Sequence, residues 1–426
     1  MRTRHLSVLL PILVTIICSL PAAGKLTAPQ LIELSRKSGS SQEFADALRA
    51  SLADAEIKNG TAILGEGADF IWAVESEKEP VLYVDNQRMA TLARAGSSNL
   101  WFYTGQLRSG TSHNFHYMVE GKRIGGRTDV AAYGPDSYSH RGVPEGRLSD
   151  KILHTSKIYD GMQTEYWIYV PAQYDPSVPA ALMVWQDGQG LITRDGPSRL
   201  MNVVDNLIQQ KKIPVMIQVL IAPGKIGDKA MRSIEYDTVS DRYARFLRDE
   251  ILADVQSKYN IRRDGYSRGI AGNSSGGICS FNVAWHQPDQ FSRVLSRIGS
   301  FTSIQWKTGQ PDAVDGGNDY PFKIRKESKR NIRVWLQDGS EDLENAHGSW
   351  PLQNIQMANS LKMKEYDFHF SFGSGTHNGA HGNAELPEEL IWLWRDYDPA
   401  RTEQQYAMDP AEKEKPYYRV KIYNRE

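Results

Sequence analysis

The chain has 426 residues, with 50 Lys and Arg against 51 Asp and Glu, giving a formal net charge of -1. That length supports two or three domains and a sizeable core, while the cancelled charge leaves no basic field for nucleic acid and no acidic tail. Ten tryptophans and an aromatic content of 10% serve core packing first and the stacking of sugar or aryl ligands second.

Residues 1–24 read as an export signal. Arg2 and Arg4 form the charged region, Leu6 to Ile17 the apolar one, and Ala22-Ala23-Gly24 a small-residue cleavage site. The apolar run is shorter than the ~20 residues of a membrane span, and Ile17 is too large for a lipidation box ahead of Cys18. The expected product is exported, periplasmic or secreted, and free of the membrane after cleavage. It keeps one cysteine, Cys279, which forms no internal disulfide and reads as a small buried hydrophobe.

Residues 25–57 read as N-terminal helices, with Thr27-x-x-Gln30 and Ser40-x-x-Glu43 resembling capping boxes. From 58 to 140 the pattern changes to short β runs: 70–74, 80–84, 100–103 and 114–119. Even spacing predicts a β-sandwich of immunoglobulin type. It shows no titratable cluster, so binding or bracing is its expected role. The Pro-, Gly- and Ser-rich stretch 133–146 reads as a linker.

From 145 to 398, strand and helix signals alternate, which predicts an α/β domain with a mostly parallel sheet. Strands are expected at 164–170, 180–185, 215–221, just before Ser274, and at 294–298, 332–337 and 366–372. Helices are expected at 242–259, after Ser274 and at 386–394. Residues 399–426 are charged, lack a clear period, and read as a peripheral tail.

The chemistry centres on Gly272-Asn273-Ser274-Ser275-Gly276, a Gly-x-Ser-x-Gly between an apolar run and a helical pattern. This is the setting of a nucleophile elbow, a strained turn that lifts a serine hydroxyl clear of the sheet. Such a serine needs a base, and the base needs an acid to fix its tautomer. Two later strands end in suitable loops, Asp338-Gly339-Ser340-Glu341-Asp342 and Gly373-Ser374-Gly375-Thr376-His377. Asp342 is the expected acid because the glycine turn can carry it back towards the histidine, with Asp338 and Glu341 as alternatives. Among the histidines, His377 sits where a base should sit and His381 competes with it. His369 reads as a packed strand residue, His286 as a helix-end residue, and His347 as a pocket-lining one. Gly379 argues against the helix that i,i+4 metal ligands need, so neither metal nor cofactor is expected.

The tetrahedral oxyanion requires two backbone donors. Ser275 N–H is the expected first. The Asp187-Gly188-Gln189-Gly190 turn supplies the second, from Gln189 or from Gly188. Candidate substrate contacts are Trp350, Trp306 and Gln186.

Between residues 145 and 398 the chain resembles the enterochelin-esterase-like branch of the α/β-hydrolases, grouped with carbohydrate esterase family one. The resemblance rests on Trp185-Gln186-Asp187-Gly188, Glu235-Tyr236, Gly272 to Gly277, Asp338 to Asp342 and Gly375-Thr376-His377. It implies a serine carboxylesterase with Ser274, Asp342 and His377 as its triad. The implied substrates are feruloyl or acetyl esters of carbohydrate, or siderophore-like esters. Two other readings stay open on the sequence: an acyltransferase using the same three residues, and a non-catalytic carbohydrate-binding protein.

Overall fold

A computed structural model describes residues 25–306 and 316–421; the expected export signal lies outside them. Two helices, Ala28–Ser38 and Gln42–Ser51, open the described chain. Gln30 Oε1 accepts from Thr27 N–H at 2.9 Å. The second helix is capped by Ser41, not Ser40, whose Oγ accepts from Phe44 N–H. A third short helix, Asp54–Asn59, was not foreseen.

Eight strands follow: β1 (Thr61–Leu64), β2 (Asp69–Glu75), β3 (Val81–Val84), β4 (Gln87–Thr91), β5 (Ala93–Arg94), β6 (Leu100–Gln106), β7 (Thr111–Val119) and β8 (Lys122–Ala132). They form two four-stranded antiparallel sheets of order β1-β2-β6-β5 and β4-β3-β7-β8. Alternation along β2 divides its side chains between two cores. Phe70, Trp72 and Val74 meet Leu82, Val84, Phe115 and Tyr117 of the facing sheet. Ile71 and Ala73 point the other way, onto Phe44 and Leu48 of the helices.

The stretch 133–146 is docked along a helix rather than spanning free space. Asn206 Nδ2 donates to the carbonyls of Asp136 (2.9 Å) and Tyr138 (2.7 Å), and Ser139 Oγ donates to Asn202 Oδ1. That helix, Leu200–Gln209, was not foreseen although Leu200, Val203, Val204 and Leu207 recur at helical spacing, and Asn202, Asp205 and Asn206 are buried with them.

Beyond the short edge strands Lys229–Ala230 and Lys225–Ile226, the large sheet runs through Gln163–Val170, Met216–Ile221, Ala181–Gln186, Arg268–Asn273, Arg293–Arg297, Arg333–Gly339 and Asp367–Gly373. The five pairings from Met216–Ile221 to Asp367–Gly373 are parallel, and Gln163–Val170 pairs antiparallel with Met216–Ile221. Its two faces are covered by different helices, as parallel sheets require. Leu182, Val184, Ile270, Val294 and Val334 pack on the Arg242–Lys258, Ser275–His286 and Trp350–Met363 side. Met183, Trp185, Ala271, Leu295 and Trp335 pack on the Leu200–Gln209 and Ala380–Trp394 side.

The expected helix 242–259 is interrupted by a π segment, Leu247–Ile251. The wider turn lets Phe246, Leu247, Ile251 and Leu252 all reach the core. The C-terminal region is not peripheral: Met408 joins the sheet core, Tyr406 Oη meets Ser292 Oγ at 3.0 Å, and the Tyr418 ring stands edge-on to Phe370. No helix among the described residues is long and apolar enough to cross a membrane.

Candidate active site

Ser274 stands between Arg268–Asn273 and the helix Ser275–His286, with φ 59° and ψ -123°. A non-glycine residue holds such a conformation only when its surroundings over-determine it. Here Ser274 N–H donates to Arg297 O (2.9 Å), and Ser274 O accepts from the N–H groups of Gly277, Ile278 and Ser300. Gly272 allows the sharp return: a Cβ there would lie 2.3 Å from Gly276 O. The strain raises the hydroxyl above the C-terminal edge of the sheet.

Two strands further along, the loops after Arg333–Gly339 and Asp367–Gly373 lie side by side. Ser340 N–H donates to Gly373 O at 2.9 Å and Glu341 N–H to Gly375 O at 3.2 Å. Gly339 makes that approach possible, since a Cβ would come within 2.2 Å of Gly375 O. The result is a line of three side chains. His377 Nε2 is 2.8 Å from Ser274 Oγ, and His377 Nδ1 is 2.5 Å from Asp342 Oδ1.

The Asp342 side chain has no exposed surface, whereas that of His377 keeps 21%. Burial pushes the Asp342 carboxyl upward, but hydrogen bonds from His377, Asp338 and Leu343 N–H outweigh it and hold it below the ordinary value. Asp338 goes the other way: burial and the hydrogen bond to Asp342 raise it well above the carboxylate range. Asp338 Oδ1 accepts from Gly339 N–H at 2.8 Å, and Oδ2 of each aspartate is buried. The two directions fit a proton held on Asp338 beside an ionised Asp342 that faces the imidazole. Glu341 is exposed.

Of the other histidines, His381 belongs to the helix Ala380–Trp394 and is buried. It is tied to Gln337 Nε2 (3.1 Å) and Glu385 Oε1 (2.7 Å), so Ser274 is not its partner. His369 stacks on Trp335 with centroids 4.1 Å apart. His286 ends the helix after Ser274, and His347 is exposed on a hairpin turn.

Trp350 is corrected as a substrate contact. It is 2% exposed, stands edge-on to His377 at 5.6 Å, and donates Nε1–H to Ser300 Oγ, which in turn lies 3.2 Å from Ser274 Oγ. Its ring backs the imidazole and presents no face to a ligand. Trp306 is half exposed beside the undescribed residues 307–315 and does not line the cleft. Gln186 does line it, with Oε1 accepting from Tyr243 Oη at 2.6 Å.

The cleft measures about 450 Å³ and is lined by Ser274 and His377 together with Trp185, Leu191, Leu200, Ile298, Arg232 and Arg297, among others. A larger hollow of about 640 Å³ lies by the N-terminal ends of Ala181–Gln186 and Met216–Ile221. It holds no nucleophile beside a base, so chemistry rather than size locates the site. Both cleft arginines are paired. Arg232 makes two 2.8 Å bonds to Asp187, and Arg297 is held by Glu389. The first pair also fixes the 187–190 turn, where Asp187 has φ 54°. Gly188 is buried against Leu220 and Ile221, and Gln189 is exposed. Ser275 N–H is one of the first amides of its helix, which have no intrahelical acceptor.

Two contacts were absent from the sequence reading: Ser300, whose Oγ lies against Ser274 Oγ, and Asp129, on β8. Asp129 contacts both neighbours of His377.

Solved structures share the fold. The enterobactin esterase of Shigella flexneri superposes with a TM-score of 0.51 at 17% identity, covering 79% of this chain and 97% of that one. The ferric enterobactin esterase of Salmonella typhimurium gives 0.51 at 15% identity over the same shares. An uncharacterized Bacillus subtilis protein, YbbA, is 21% identical over 187 residues, 42% of this chain and 68% of its own. The esterase family model, described as "Putative esterase", matches residues 160–393, which span every element that carries the line of three side chains. The chain therefore belongs to this esterase family.

Proposed function

We propose that the protein is an exported serine carboxylesterase working through an acyl-enzyme. The observation that supports it is the unbroken contact from Ser274 Oγ to His377 to Asp342, at the head of the cleft. In this reading His377 Nε2 takes the Ser274 proton as Oγ attacks the ester carbonyl, and Asp342 stabilises the imidazolium from Nδ1. The oxyanion is held by Ser275 N–H and by Gln189 or Gly188 N–H, one such donor contributing about 2.7–4 kcal/mol. The imidazolium returns its proton to the departing alcohol. Water then attacks the acyl-serine, losing its proton to the same nitrogen, which passes it to Ser274 Oγ as the acyl–oxygen bond breaks and the acid leaves.

Because Arg232 and Arg297 are both neutralised by carboxylates, the cleft lacks a free cation among its described lining residues. An iron-loaded tricatecholate anion would find little compensation there. The apolar walls favour an uncharged ester, so a feruloyl- or acetyl-type ester of carbohydrate is the proposed substrate. The two-sheet region 58–140 has the strand order of an immunoglobulin-like sandwich with one extra edge strand, and we read it as a separate unit bracing the 145–398 domain. N-terminal sequencing of the secreted product tests cleavage after Gly24.

A fluorophosphonate should label Ser274, and Ser274→Ala should lose hydrolysis of p-nitrophenyl acetate. Wild-type turnover by that variant would refute the mechanism. Release of ferulate or acetate, outpacing cleavage of a siderophore triester at equal concentration, tests the substrate class.

A further inference from the structure

We infer that Asp129, carried by the N-terminal sandwich, is a positioning residue for the histidine of the hydrolase site. The inference rests on the serine-esterase reading above and adds to it a part played by a separate region of the chain.

Residue 129 reaches the site through an irregularity in β8. Pairing of β7 with β8 runs His113 to Val130 and then Phe115 to Arg127, so two residues of β8 face one of β7. The extra residue turns the backbone: Asp129 has φ 61°, the left-handed region. Bulges of this kind re-aim a side chain that regular alternation would leave on the other face. The hairpin β7–β8 packs on the helix Ala380–Trp394, so the re-aimed carboxylate points into the loop just before that helix.

There it meets the residues on either side of His377. Thr376 N–H donates to both oxygens, at 3.1 and 3.0 Å, and the Thr376 hydroxyl also donates to Oδ2. Asn378 Nδ2 donates to the same oxygen at 2.5 Å, while Asn378 Oδ1 accepts from Ala380 N–H at 2.7 Å. One carboxylate, 6% exposed, thus clamps the backbone before His377 and the side chain after it, and links both to the start of the next helix. The loop's own composition, Gly373-Ser374-Gly375 before Thr376, does little to fix its course. A displacement near 1 Å at a reacting group costs about 100-fold in rate, so the clamp acts on turnover rather than on substrate affinity.

The experiment uses the full mature chain and three variants. Asp129→Asn keeps a residue tolerated at positive φ and the shape of the side chain, while putting an amide against donors. Asp129→Ala removes every bond. Asn206→Ala is the control: it deletes two bonds from the same N-terminal segment to the hydrolase domain without touching the histidine loop. With p-nitrophenyl acetate, Asp129→Ala is expected to lower kcat about 10- to 100-fold with KM changed less than about threefold. The rate of fluorophosphonate labelling should fall by the same factor, and Asp129→Asn should fall between it and wild type. Asn206→Ala should lower Tm and leave kcat within about twofold. Folded Asp129→Asn protein with wild-type kcat and labelling rate would overturn the inference. So would an equal kcat loss in Asn206→Ala. Failure of the wild-type chain to label at Ser274 would instead remove the serine-esterase reading itself.

Discussion

The serine and the histidine of the site are held in opposite ways. Ser274 is shaped mainly by its chain neighbours, the strand before it, the helix after it and Gly272 packed on Gly276, with bonds to Arg297 O and from Ser300 N–H added by the adjacent strand and the loop after it. His377 sits in a loop whose course is set from far away, by the backbone of Ser340 and Glu341 on one side and by Asp129 on the other. A short-range device builds the strained turn, where strain must be concentrated. Long-range bonds bring the base to it. The difference teaches where each half can be broken and which half a sequence can reveal.

The largest effect should come from the link between the two loops. Asp342→Asn preserves the shape but offers Nδ1 the wrong partner, and a loss of about 10⁴ in kcat is expected from the analogous substitution in serine proteases. Steady-state kinetics check it; a loss under tenfold would mean the imidazole is oriented by something else. Next come the two close-approach glycines. Gly272→Ala forces a Cβ against backbone at 2.3 Å, and Gly339→Ala does so at 2.2 Å. Each should cost about 1–3 kcal/mol of stability and about 100-fold in kcat. The comparison sharpens through labelling. Gly272→Ala should slow fluorophosphonate reaction by deforming the nucleophile, and Gly339→Ala by displacing its base. Melting curves and labelling rates on both variants separate the outcomes.

The sequence made the local half legible and the distant half only in part. Ser274, Asp342 and His377 each lie just past an apolar strand run, and the order of strands along the chain is the order in which parallel pairing lays four of them side by side. The helices Leu200–Gln209 and Trp350–Met363 were both missed. Leu200–Gln209 carries an apolar face that went unread, whereas Trp350–Met363 has no such period, and the bonds of the buried Asn202, Asn206 and Asn354 to backbone carbonyls are visible only once the chain has folded. His381 looked like a rival because Gly379 concealed the start of a helix, which turns that ring away toward Glu385. Asp129 left no trace at all. An aspartate in a strand resembles a solvated residue, and its partners lie 247 and 249 positions later.

The smallest effect is the most discriminating, because it separates two aspartates four residues apart. Asp342 has a folded pKa below its unfolded value, so its stabilisation is present above the unfolded pKa near 3.9 and is lost as pH falls through the folded one. Asp338 has a folded pKa well above its unfolded value. Below about pH 4 it is protonated in both states. As pH rises past that point the unfolded chain ionises while the folded one keeps its proton, so this group subtracts stability. Asp338→Asn supplies a donor to Asp342 and an acceptor for Gly339 N–H without that penalty. Its kcat should stay within about threefold of wild type, and its urea midpoint should fall less, or rise more, than wild type between pH 4 and 7. Asp342→Asn should change the slope in the opposite direction at the acid end. Urea titrations of the three proteins from pH 3 to 7 read both slopes. A steeper loss of stability with rising pH in Asp338→Asn than in wild type would mean that the proton shared by the pair resides on Asp342, leaving the imidazole without its anion.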